Sequence, residues 1–169
     1  TGLSSSSVTG TSRGPLEFHI LWTNWYNSVF PDNPAATAVH EFTHCVQLNI
    51  LIKDTREKLA LESAVNFDDV FEKKFREEYP QWFWEAMAVY EAEELNILSV
   101  KYGMRGKPTL KTLNTSNQIY NVGYTIIEYI VTTWGKDKLP ALITSYVDFE
   151  EVLNINETKF EEGWHKFVQ

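Results

Sequence analysis

Apolar and polar positions alternate over Leu16-Glu-Phe-His-Ile-Leu-Trp-Thr23. Leu16, Phe18, Ile20 and Trp22 fall on one side, Glu17, His19, Leu21 and Thr23 on the other. A period of two predicts a half-buried strand. No other segment carries a strand pattern this clear, and the rest of the chain reads as helices. Asn33 is placed to cap a helix whose first turn holds Pro34, where a missing N–H does no harm. That helix is expected over about 35–51. Asp54, with Glu57 three residues on, resembles a capping box and predicts a fresh helix start. Segment 67–78 mixes acidic and basic residues and predicts a helix with a solvated face. Pro80 opens a long helix expected to run through about Leu98. Residues 100–115 hold Gly103, Gly106 and Pro108 and read as a loop. A further helix is expected over 117–134, stopped by Gly135. Shorter helices follow at about 138–147, 149–153 and 157–167. Thr1 to Gly14, rich in Ser, Thr and Gly, reads as a flexible lead-in or linker. The expectation is a mostly α (α+β) domain over 15–169, a helical bundle with a small N-terminal edge strand or sheet.

Composition narrows the function classes. With 43% apolar and 14% aromatic residues in 169, the chain can bury a core, which excludes a disordered or fibrous protein. A net charge of -8 argues against nucleic-acid binding. No apolar run reaches the ~18 residues a membrane span needs. One cysteine excludes an internal disulfide framework. The first residue is Thr rather than Met, so the sequence reads as a processed form or a piece of something longer. The Ser-rich start and single cysteine fit a bacterial secreted or cell-surface protein whose export signal lies outside this sequence. Asn114-Thr-Ser116 and Asn156-Glu-Thr158 are glycosylation sequons, meaningful only in a eukaryotic secreted protein.

The chemistry is carried by His40-Glu41-Phe42-Thr43-His44 inside the first expected helix. Four residues advance a helix by about 400°, so His40 and His44 emerge from one face, one turn apart. Two neutral imidazoles so placed suit two corners of a zinc tetrahedron. Glu41 is offset by about 100° and does not share the ion. It can reach water held there and act as general base, passing the proton to a leaving amine. Cys45 also points about 100° away from His44 and reads as a buried thiol.

A catalytic zinc needs a third protein ligand and an open position. His19 and His165 are the other histidines, read as a sheet-face and a surface residue. Glu85 is the better candidate. It sits in the apolar, aromatic stretch Gln81-Trp-Phe-Trp-Glu-Ala-Met-Ala-Val-Tyr90, where an unpaired carboxylate is costly to bury and a metal ion removes that cost. Glu91, Glu93 and Glu94 read as the wet face of the same helix.

HExxH followed by Trp82-x-x-Glu85-Ala86-x-Ala88-x-Tyr90 resembles the gluzincins, zinc peptidases whose third ligand is a glutamate. More narrowly, it is similar to the small peptidase MA-like domains, and through them to the catalytic core of the aminopeptidase and leukotriene A4 hydrolase family. Ala86 stands where that motif usually has Gly. The resemblance implies a zincin-like fold, one zinc ion on His40, His44 and Glu85, and Glu41 as catalytic base. It also implies an oxyanion-stabilising tyrosine in a Tyr-x-x-Gly segment, matched by Tyr120-Asn-Val-Gly123, with Tyr124 as the alternative. Leu16 to Thr23 would be the edge strand that pairs with extended substrate. Leu48 to Tyr79 reads as an inserted acidic helical segment flanking the cleft. The upstream Gly-x-Met-x-Asn strand motif of the aminopeptidases is absent from this sequence.

The expected function is therefore a zinc-dependent metallopeptidase acting on peptide or protein substrates. Two alternatives remain: a zinc-binding, catalytically degenerate domain serving as an interaction module, and a nonpeptide hydrolase using the same site.

Overall fold

In the computed structural model of the chain, residues 10–20, 33–59 and 67–169 are described. Leu21, Trp22 and Thr23 of the expected strand, and residues 1–9 of the expected lead-in, lie outside them. The described residues form a mostly helical structure with a two-stranded sheet at its N-terminal end.

Strand β1 (Gly10–Ser12) pairs antiparallel with β2 (Phe18–Ile20), with Thr11 opposite His19. Residues 10–12 were expected to belong to the lead-in. They form a strand because β2 and the helix beneath supply partners that composition does not encode. The sheet lies on α1 (Pro34–Leu59), where the buried Cys45 thiol faces the Glu17 carbonyl at 3.7 Å.

Helix α1 begins as expected, with the Ala35 N–H donating to Asn33 Oδ1 at 3.1 Å. It does not stop near Leu51 or restart at Asp54. Asp54 pairs with Lys58 at 2.8 Å along an unbroken helix of 26 residues. With no Gly or Pro after Pro34, nothing in the backbone interrupts it.

Helix α2 (Phe67–Glu78) stacks Phe67, Phe71, Phe75 and Tyr79 at four-residue spacing. Helix α3 (Gln81–Glu91) ends seven residues before the expected Leu98. Glu93 adopts a left-handed φ of 55°, the Glu94 N–H donates to the Val89 carbonyl, and the Glu93 N–H donates to Tyr90. This is a Schellman ending with glutamate in the position glycine usually takes. Asn96 then caps α4 (Ile97–Gly103), accepting from the Leu98 and Ser99 N–H groups. The expected loop over 100–115 instead holds the end of α4, a 3-10 turn (Met104–Gly106) and α5 (Leu110–Leu113).

Helix α6 (Ile119–Trp134) packs on α3 at the centre of the core. A methyl at Gly123 would lie 3.0 Å from the Ala86 Cα, so these two small residues set the helix spacing. The remaining helices α7 (Lys138–Thr144), α8 (Phe149–Leu153) and α9 (Glu157–Phe167) close the core around Trp164. The Trp164 indole N–H donates to Thr125 Oγ1 at 2.9 Å. Both sequon asparagines act as helix caps. Asn114 Oδ1 accepts the Trp82 N–H at the start of α3, and Asn156 Oδ1 accepts the Lys159 N–H at the start of α9. Among the described residues no helix is long and apolar enough to cross a membrane.

Candidate metal centre

Helices α1 and α3 pack face to face and bring His40, His44 and Glu85 together. Each offers one ligand atom, and the three atoms lie within 4.8 Å of one another. Glu85 Oε2 is 3.5 Å from His40 Nε2 and 3.8 Å from His44 Nε2. Zn–N bonds of about 2.0–2.1 Å give tetrahedral edges of about 3.3–3.4 Å, so the two edges that meet at Glu85 are close to the length such an ion needs. Glu85 and His44 are buried, and a carboxylate buried here against two ring nitrogens is the donor set a divalent cation satisfies.

Each of the three side chains is held from behind. His40 Nδ1 donates to Glu94 Oε2 at 3.0 Å. His44 Nδ1 lies 3.2 Å from Gln47 Oε1, and the His44 ring stacks on Trp84 with centroids 4.4 Å apart. Gln81 Nε2 donates to Glu85 Oε1 at 3.2 Å, which leaves Oε2 facing the histidines. Outer partners of this kind fix ring orientation and tautomer in metal sites. Glu94 was expected on the wet face of a longer helix. The left-handed turn at Glu93 instead returns it to His40. The signal for this in the sequence was Asn96 ahead of Ile97 and Leu98, a helix start that forces α3 to end first.

Glu41 stands apart from the triad, as its 100° offset requires, and is buried under β1. A methyl at Gly10 would fall 2.7 Å from Glu41 Cγ, and the Ser12 backbone hydrogen-bonds the carboxylate. The strand that approaches Glu41 is thus β1, which pairs with β2. Burial raises the Glu41 pKa, and the charges of Glu85 and Glu94 add to it against the pull of His40.

Tyr120 at the start of α6 stacks toward His40, centroids 6.4 Å apart, and its hydroxyl hydrogen-bonds Glu85. Burial and the neighbouring carboxylates push its pKa above the usual tyrosine range, so the O–H stays a donor. Tyr124 turns away and packs on Tyr90 at 5.0 Å. His19 pairs with Glu17, and His165 Nε2 bonds the Pro108 carbonyl at 2.9 Å, so neither joins the triad. An apolar cavity of about 520 Å³ lies on another flank of α1, lined by Val39, Phe42, Val46 and Leu139, and none of His40, His44 and Glu85 lines it.

Without metal, the two histidines behave oppositely. Burial alone would lower His40, but Glu85 and Glu94 hold it up at about 9. Burial, helped by the charge of His40, lowers His44 to about 4. The ordinary value is 6.5 for both. The stability His40 contributes is full below that value and is lost as pH rises through 9. The stability linked to neutral His44 is present above it and is lost as pH falls through 4. Chelator-treated protein is therefore expected to be most stable near pH 6.5, with Tm declining on both sides. Thermal melts across this range check it, and a flat Tm from pH 6.5 to 9 would contradict the His40 pairing.

No family model, curated protein or solved structure matches this chain. The site's residues and their geometry therefore carry the functional reading.

Proposed function

We propose that the chain is a gluzincin-type zinc metallopeptidase, a hydrolase with a zincin-like domain that cleaves peptide bonds in a peptide or protein substrate. One observation carries the reading: two Nε2 atoms and one carboxylate oxygen converge while the far side of each ligand is tied to an outer partner. His40, His44 and Glu85 would hold the ion. Zinc, when bound, supplies Lewis-acid polarisation of a carbonyl and acidification of water. Glu41, with its raised affinity for protons, takes a proton from the attacking water and hands it to the leaving amine. Tyr120 donates its O–H to the oxygen on which charge develops. The Ser12 contact holds the Glu41 carboxylate in one orientation.

The test is metal content and cleavage on one preparation, purified without added metal or a His tag. About one zinc per chain, and casein cleavage abolished by chelator, is the expected result. Zinc without cleavage of any substrate would favour an interaction module, and cleavage of esters alone a nonpeptide hydrolase. Failure to take up zinc at micromolar supply would overturn the reading.

A further inference from the structure

His44 is the more deeply buried ligand histidine, at 4% exposure, and its ring is gripped twice. Trp84 lies parallel to it, with an interplanar angle of 3°, and fixes the plane. That contact alone leaves the ring free to carry its hydrogen on either nitrogen. Gln47, three residues along α1 and 1% exposed, decides between them. Its Oε1 sits 3.2 Å from His44 Nδ1. An amide oxygen can only accept, so Nδ1 carries the hydrogen and Nε2 keeps a free lone pair. With the amide turned over, N–H donors would face Nδ1, the hydrogen would move to Nε2, and the ligand atom would be blocked.

On its other side the Gln47 amide meets the buried Tyr79 hydroxyl, which can donate or accept, and neither Gln47 Nε2 nor the Tyr79 hydroxyl has a partner in hydrogen-bond geometry. Tyr79 is fixed in turn by Phe75, Phe83 and Trp84. A carboxylate performs the corresponding task for His40, but Glu94 stands at the rim. Behind His44, an isolated carboxylate would be costly to bury, and a neutral amide supplies an acceptor without that cost.

We propose that Gln47 is a positioning residue that selects the Nδ1–H tautomer of His44 and so keeps Nε2 open toward His40 and Glu85. The inference rests on the reading of His44 as a metal ligand, but its first test needs no metal. Long-range proton–nitrogen NMR on metal-free protein at pH 7.5 reads the His44 tautomer directly. Wild type is expected to show Nδ1–H. Gln47→Met, similar in length but a poor acceptor, is expected to populate Nε2–H. Gln47→Glu restores an acceptor and is expected to return the ring to Nδ1–H. The second readout is zinc affinity by competition with a fluorescent chelator. Gln47→Met is expected to bind about 10–100-fold more weakly, the usual cost of removing an outer partner, and Gln47→Glu to recover most of that loss. Nε2–H in wild type, or an unchanged tautomer in Gln47→Met, overturns the proposal. If Gln47→Met fails to fold, Gln47→Leu, which also lacks an acceptor, takes its place, and an Nδ1–H ring retained in it overturns the proposal. An Nδ1–H ring in a protein that takes up no zinc would sink the metallopeptidase reading and leave the tautomer assignment standing.

Discussion

Glu41→Gln is expected to reduce casein cleavage by about 10²–10⁴-fold, the range for loss of a general acid–base group, with zinc content unchanged. Glu41 contributes no atom to the triad, so removing its charge leaves the ligand set intact. Glutamine has the same shape, and its amide oxygen can still accept from the Ser12 backbone, so β1 has no reason to move. What the amide cannot do is take up a proton near neutral pH. Mass spectrometry for metal and a fluorogenic casein assay separate the outcomes. Loss of zinc together with activity would make Glu41 part of the metal site. Retained activity would place the base elsewhere.

Glu85→Ala is expected to take bound zinc from about one per chain to a trace. It removes one of three donors, a loss expected to exceed the 10–100-fold cost of losing an outer partner. It also strips His40 of one of its two carboxylate partners. Helix α3 should survive, because its packing rests on Phe83, Ala86 and Met87 rather than on Glu85. An unchanged far-ultraviolet circular dichroism spectrum with the zinc gone is the expected pair of results. Full zinc retention would mean that another residue supplies the third ligand, and the gluzincin assignment would fall.

The parts of this site legible in the sequence are those that helical geometry encodes locally. His40, Glu41 and His44 needed only their spacing within one helix. Glu85 announced itself as a charge in an apolar stretch. Glu94 was missed because periodicity extends a helix until glycine or proline stops it, and here a glutamate takes the left-handed position. Strand β1 was missed because strand pairing is non-local. Gly10, Thr11 and Ser12 carry no apolar alternation, and their order comes from β2 and α1. Gln47 was invisible for a related reason: its meaning depends on the tautomer of a neighbouring ring, which is no sequence pattern. The false restart at Asp54 shows the reverse error, since the residues of a capping signal also make good mid-helix ion pairs.

The turn at Glu93 has a further consequence. It folds Glu94 back within nine residues of Glu85, so the candidate third ligand and the outer partner of His40 travel on one short peptide. The segment 40–47 likewise carries His40, Glu41, His44 and Gln47. Two cassettes, 40–47 and 81–94, thus hold all three candidate ligands and the polar partner behind each. A centre packaged this way is portable. Any scaffold presenting two helices at the same separation could receive it as a graft of two peptides.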